Sequence, residues 1–180
     1  MDCERCPASI LRVLHMSFDD RTILLVEDNE DDSFIFSRAH RIARLPHPVQ
    51  VATDGKEALD YLFGEGAFSD RAKYPLPFLV FLDLKLPLKP GHEVLQAIRS
   101  SPALADLCVI VLTSSAEARD VTRAHELGAW AFLVKPPSAQ NLASAVRAVT
   151  SWMASPGTVA ERIPGDMFSP ALFTGGQSPE

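Results

Sequence analysis

The stretch LVFLDLKLP runs from Leu79 to Pro87 and places one carboxylate, Asp83, directly after an apolar run. An ionised side chain inside an apolar interior is costly unless it is paired. A buried strand that ends on an acid therefore indicates that Asp83 lies at the rim of a sheet, where water or a cation reaches it.

Other short apolar runs have the length of single strands and, like the run before Asp83, do not alternate polar with apolar residues. Such runs are typical of strands covered on both faces, as in a parallel sheet. Helical patterns lie between them, so strand and helix alternate five times and predict an α/β fold with helices on both faces of a parallel sheet. The runs are ILLV (Ile23–Val26), FLVFL (Phe78–Leu82), CVIVL (Cys108–Leu112) and AFLV (Ala131–Val134), with a weaker fifth, VQVA (Val49–Ala52).

The helical patterns carry apolar residues three or four positions apart, the spacing of a stripe that a helix buries. Ser138 is the expected N-cap of the last helix, and Gly128 the expected C-cap of the one before it. The expected stripes are Ile35, Ala39 and Ile42; Ala58, Leu59 and Leu62; Val94, Leu95 and Ile98; Ala118, Val121 and His125; and Leu142, Val146, Val149 and Met153.

The two ends of the chain differ from the middle. We expect an N-terminal extension over residues 1–18, one domain over 19–153 and a flexible tail over 154–180, which is rich in Pro, Gly and Ser.

The net charge of −6 argues against nucleic acid or a membrane surface as the main partner. No run approaches the roughly 18 apolar residues of a spanning helix. Three cysteines make no disulfide framework, and the pair Cys3 and Cys6 lacks the second pair of a zinc site. We therefore expect a cytoplasmic protein.

Polar residues follow the expected strands. Ligands of an open parallel sheet bind outside the carboxyl ends of its strands, and these ends carry Glu27 and Asp28, Asp83, Thr113 and Lys135. Three carboxylates close together raise one another's pKa, and Mg²⁺ would remove that conflict. A carboxylate can also attack phosphorus to give an aspartyl-phosphate. In such chemistry the cation and the lysine would neutralise the phosphoryl oxygens, and the threonine would donate a hydrogen bond to one of them.

Four motifs, ILLVEDNEDD, FLDLKLP, VIVLTSS and AFLVKP, resemble in order and spacing the receiver domain of two-component response regulators. The resemblance covers about Thr22 to Met153. It implies a flavodoxin-like sheet of order 2-1-3-4-5 and phosphorylation of Asp83 by a sensor histidine kinase. It also implies a Mg²⁺ site formed by Glu27, Asp28, Asp83 and the backbone carbonyl of Lys85.

The same resemblance assigns a conformational switch. It implies that the hydroxyl of Thr113 and the ring of Phe132 respond to phosphorylation, and that Lys135 pairs with the phosphoryl group. The response would reshape the face formed by the fourth helix, the fifth strand and the fifth helix. The peptide bond from Lys135 to Pro136 is typically cis in this family.

The long loop Gly64–Pro77 and the sequence LTSS are similar to stand-alone receivers that work with phytochrome-type kinases. This narrower likeness implies a kinase such as a bacteriophytochrome, and a homodimer. No DNA-binding or catalytic module is expected in the short segment after the receiver. The output would then be contact with a downstream protein, or phosphate relay to a histidine phosphotransfer partner.

Two other function classes stay open at this point. One is a receiver-like interaction module that works without phosphorylation. The other is an aspartyl-nucleophile phosphatase, which would carry a second acid where this chain has Lys85. A dinucleotide-binding fold is disfavoured because EDNEDD, not a glycine-rich turn, follows the first strand. Asp31 and Asp32 are interpreted as acids that stabilise the first turn of a helix through its dipole.

Overall fold

A computed structural model describes residues 21–114, 118–135 and 138–154 of the chain. Strands and helices alternate along it as the sequence predicts, and one short 3₁₀ turn spans Gly66–Phe68. The strands are β1 (Ile23–Val26), β2 (Val49–Ala52), β3 (Leu79–Leu82), β4 (Cys108–Thr113) and β5 (Ala131–Val134); the helices are α1 (Glu30–Ala43), α2 (Gly55–Phe63), α3 (Gly91–Ser100), α4 (Ala118–Glu126) and α5 (Ala139–Ala154).

The five strands form one parallel sheet in the order β2-β1-β3-β4-β5, which confirms the predicted topology. In the central strands β1 and β3 all residues are buried, as expected for strands covered on both faces. Alternate residues of β1 face opposite layers: Ile23 and Leu25 pack with α1 and α5, and Leu24 and Val26 pack with α2, α3 and α4. Because all neighbouring strands are parallel, the carboxyl ends of the five strands lie at the same edge of the sheet.

The expected apolar stripe of α3 is confirmed, since Val94, Leu95 and Ile98 are buried. In α5, the predicted residues Leu142, Val146 and Val149 are buried, and Met153 is only partly buried. In α1 the buried stripe lies one position away from part of the prediction, and in α2 the predicted Ala58 and Leu62 are buried as expected. Phe36, Ala39 and Ala43 are the buried residues of α1, while Ile35 and Ile42 are partly buried beside them. In α2 the residue Tyr61 is buried and Leu59 only partly.

The predicted stripe of α4 was wrong at Val121 and His125, and the side chain of Ala118 lies outside the described residues. Val121 is 38% exposed and His125 is exposed, whereas Ala124 is buried in the core. The helix is rich in charged and polar residues, so few apolar side chains are available to define its rotation. Both predicted caps are confirmed: Gly128 has a φ of 85° and donates to the carbonyl of His125, and the Ser138 hydroxyl accepts the amide of Asn141.

The loop between α2 and β3 is organised by Arg71. Its guanidinium donates to the carbonyl oxygens of Tyr61 at 2.7 Å and of Leu62 at 2.6 Å, near the carboxyl end of α2. The Tyr61 hydroxyl in turn donates to the carbonyl of Pro75 at 2.8 Å. The expected long loop is therefore tied to α2 from its middle, through Arg71, and near its carboxyl end, through Pro75.

Every helix within the described ranges falls short of the length and apolar content needed to cross a bilayer. The expected N-terminal extension, the C-terminal tail beyond Ala154 and the cis bond to Pro136 lie outside the described residues. The last helix reaches Ala154, which is one residue beyond the predicted end of the domain.

Candidate functional site

The carboxyl edge of the sheet brings the predicted site residues together. The amide of Asp83 donates to the carbonyl of Val26 at 3.0 Å, so the segment after β3 lies beside the end of β1. Lys135 directly follows β5, and its amide donates to the carbonyl of Thr113 at 2.7 Å, which places the lysine beside the end of β4. Glu27 continues β1 at the same edge.

The ammonium of Lys135 contacts three carboxylates. Its Nζ lies 2.6 Å from Asp83 Oδ2, 2.7 Å from Glu27 Oε2 and 2.8 Å from Asp32 Oδ2. Burial alone would lower the pKa of Lys135, but the hydrogen bonds to Asp32, Asp83 and Glu27 raise it well above its usual value. The side chain is therefore a permanent cation, and its three N–H donors face three carboxylates.

The negative charge at the site exceeds what one lysine neutralises. Glu27 and Asp83 are almost fully buried. Burial raises the pKa of Glu27, and the charge of Asp83 raises it further, although the hydrogen bond and charge of Lys135 act in the opposite direction. Asp83 Oδ1 accepts the backbone N–H of Lys85 at 3.0 Å. Both oxygens of Asp83 are therefore held in place by donors.

Three carboxylates at this edge are arranged to hold a cation. Glu27, Asp28 and Asp83 each offer one oxygen, and these oxygens lie within 4.8 Å of one another. Asp28 is exposed, so solvent and ions reach the cluster from its side. Oxygen-only ligands and an unneutralised acid fit a hard divalent cation. The cation would favour the charged form of Glu27, which burial disfavours.

The remaining predicted residues lie in different environments. Thr113 is fully buried at the end of β4, and Phe132 in β5 is partly buried against the core on the α2–α4 side. The side chain of Lys85 is exposed, and of its described contacts only the backbone N–H reaches the site. No described contact joins the Lys85 ammonium to Asp83.

Sequence reasoning missed one residue of the site. Asp32 was assigned to the helix dipole, but its carboxylate pairs with Lys135, so that assignment was incomplete. Its place in the helix does carry a signal. Asp32, Phe36, Ala39 and Ala43 are three or four positions apart, so the buried stripe of α1, followed back by one turn, leads to Asp32.

A doubly wound α/β sheet with an acid cluster and a buried lysine at its carboxyl edge defines a class of phosphate- and cation-handling sites. The family model described as the response regulator receiver domain matches residues 23–147. The chain belongs to this family.

Three relatives represent the matches. The probable methanogenesis regulatory protein FilR2 of Methanothrix harundinacea is 36% identical over 143 residues, which cover 77% of this chain and 90% of FilR2. Response regulator Rcp1 of Synechocystis sp. is 33% identical over 132 residues, which cover 73% of this chain and 88% of Rcp1. The crystal structure of Mn²⁺-bound Rcp1 matches with a TM-score of 0.67 and 32% identity, over 78% of this chain and 99% of that one. The phosphorylated cyanobacterial phytochrome response regulator RcpA matches with a TM-score of 0.69 and 32% identity, over 79% of this chain and 99% of RcpA.

Proposed function

We propose that this protein is a single-domain response regulator in which Asp83 accepts a phosphoryl group from a sensor histidine kinase. The observation that carries the proposal is the contact of 2.6 Å between the Lys135 ammonium and the Asp83 carboxylate at the edge of a three-carboxylate cluster. Neutralisation of charge and positioning are the main needs of phosphoryl transfer, and this arrangement supplies both.

Mg²⁺ is the proposed cation, held by Glu27, Asp28, Asp83 and the backbone carbonyl of Lys85. When bound, it would neutralise charge on the phosphoryl oxygens. In the transfer, an Asp83 carboxylate oxygen forms a bond to phosphorus while the P–N bond to the kinase imidazole breaks. The electron pair of that bond stays on the imidazole nitrogen. The receiver itself catalyses this transfer and the later hydrolysis of the acyl phosphate by water.

The proposed output is a change in packing. Lys135 donates to a phosphoryl oxygen, and the Thr113 hydroxyl turns towards the phosphoryl group. The space that Thr113 leaves is filled by the ring of Phe132, which changes the surface formed by α4, β5 and α5. Phosphorylation thus shifts the population between two packings of the same fold.

The phytochrome relative supports a proposal about partners. RcpA is by its description a phytochrome response regulator, and its likeness covers nearly all of that chain. We accordingly place this protein in the cytoplasm with a kinase such as a bacteriophytochrome. A homodimer and a downstream protein or histidine phosphotransfer partner complete the proposed pathway.

The test is intact-mass analysis after incubation with acetyl phosphate and Mg²⁺, on the wild type and Asp83→Asn. We expect a phosphoryl adduct on the wild type only. An absence of adduct on folded wild type would favour an interaction module that works without phosphorylation. Continuous release of inorganic phosphate from unrelated phosphate esters would favour a phosphatase.

A further inference from the structure

Asp32 is an additional acid at the phosphorylation site. It lies in the first turn of α1, and its backbone N–H donates to the side chain of the N-cap residue Asn29 at 3.0 Å. The side chain is 35% exposed, and its Oδ2 lies 2.8 Å from the Nζ of Lys135. The start of α1 is thus bonded to the residue that follows β5.

The surroundings of Lys135 make this contact specific. A small cleft beside the lysine is bounded mainly by apolar side chains and by only three charged ones, Glu27, Asp32 and Lys135 itself. Among the residues that line the cleft, Asp32 is the acceptor that α1 contributes. The apolar residues of the cleft are Leu25, Ile35, Phe36, Leu112 and Leu142.

We propose that Asp32 is a positioning residue that orients the ammonium of Lys135 for phosphoryl transfer to Asp83. This inference rests on the proposed function and deepens it. A lysine ammonium has three N–H donors, and here each is directed to a different carboxylate. With two donors fixed by Glu27 and Asp32, the third points at Asp83, where the incoming phosphoryl group needs it.

Loss of the Asp32 charge replaces a charge-assisted hydrogen bond to the ammonium with, at most, a weaker bond to a neutral amide oxygen. The ammonium then pivots between Glu27 and Asp83 and no longer holds one direction. Because the carboxylate of Asp32 is half-buried and near the surface of the protein, its neutralisation leaves the fold intact. The variant Asp32→Asn keeps the shape of the side chain and removes its charge.

The matched control is Asp31→Asn. Asp31 is in the same turn of α1 and carries the same charge, but it is exposed. Both variants reduce the negative potential that an anionic phosphodonor meets. A difference between them therefore reports the contact with Lys135. Asp32→Glu restores the charge and tests rescue.

The measurement is the rate of phosphorylation by acetyl phosphate at saturating Mg²⁺, followed by intact mass. We expect Asp32→Asn to be phosphorylated roughly three- to tenfold more slowly than Asp31→Asn, which corresponds to the net free energy of one ordinary hydrogen bond. The rate should recover in part in Asp32→Glu. Equal rates for Asp32→Asn and Asp31→Asn, with normal phosphorylation of the wild type, would overturn the positioning role only.

A second measurement does not depend on phosphorylation. The ammonium of Lys135 is observed by NMR of ¹⁵N-lysine-labelled protein, where a fixed ammonium exchanges its protons slowly with water. We expect the signal to survive in Asp31→Asn and to be lost by fast exchange in Asp32→Asn. If the wild type forms no adduct, the proposed function fails, and this experiment still decides the positioning role. An unchanged signal in Asp32→Asn would refute it.

Discussion

The substitution Gly91→Ala is expected to disable the proposed phosphorylation site, although Gly91 is not one of the site residues. Gly91 opens α3, and its amide donates to the carbonyl of Leu84 at 3.0 Å. A Cβ at this position would lie 2.0 Å from the carbonyl oxygen of Asp83 and 2.8 Å from the Cα of Leu84. Both neighbours are backbone atoms, so the segment that carries Asp83 must move by more than about 1 Å to restore ordinary contact.

Two opposing energies set the effect of Gly91→Ala on stability. Alanine in a helix is favoured over glycine by at most about 1 kcal/mol, while overpacking costs about 1–3 kcal/mol. We expect a net loss of about 1–2 kcal/mol in the free energy of unfolding. The effect on the rate of labelling by acetyl phosphate should be larger than this loss of stability. A displacement of about 1 Å in a reacting group can lower a rate about a hundredfold.

The control for Gly91→Ala is Gly66→Ala. Gly66 has a φ of 54°, and a Cβ there would meet no atom within 4 Å. Its alanine variant therefore loses about 1 kcal/mol through backbone strain and leaves the site unchanged. Urea unfolding and acetyl phosphate labelling of both variants give the comparison. A Gly91→Ala protein that is labelled as fast as Gly66→Ala would refute the reasoning.

Four further predictions concern other parts of the fold. Lys85→Asn should shorten the lifetime of the acyl phosphate, because it removes a cation that would hold the phosphoryl group or crowd the attacking water; equal lifetimes would contradict this. Tyr61→Phe should lower the free energy of unfolding in urea by about 1 kcal/mol, since it removes the hydrogen bond to Pro75. Burial raises the pKa of Cys108 to about 12, so in a variant without the other two cysteines its thiol should react with thiol reagents only as the protein unfolds. Burial lowers the pKa of His40 below its ordinary 6.5, so the unfolded chain binds this proton more readily. Stability should then fall as the pH drops below about 6.5, and the thermal midpoint of His40→Gln should depend less on pH.

The sheet could be predicted because its signal is local. Uninterrupted apolar runs ended by acids, a threonine and a lysine give the strands, and parallel topology then places Asp83 and Lys135 at one edge. The rotation of α4 could not be predicted in the same way. Its apolar residues are few and small, so packing against the sheet buries Ala124 rather than Val121.

Asp32 shows a different limit of sequence reasoning. Its partner Lys135 is 103 residues away in the chain. The stripe of α1 indicates that Asp32 faces the interior, but nothing in the local sequence identifies Lys135 as its partner. An acid in the first turn of a helix already has a sufficient local explanation in the helix dipole. The pairing of Asp32 with Lys135 appears only in the folded structure, where the start of α1 meets the residue that follows β5.

The separation of Lys135 from its partners has a consequence for the making of the protein. The lysine is 108 residues after Glu27 and 52 residues after Asp83, so the acids are synthesised long before their counterion. A growing chain that has formed only β1, α1 and β3 would hold mutually repelling acids without this cation. Addition of β5 brings Lys135 to these acids and relieves their repulsion, so pairing of the last strand favours completion of the fold. The folding of a chain truncated before Lys135 should therefore be less cooperative than the apolar contacts that this chain retains would lead one to expect.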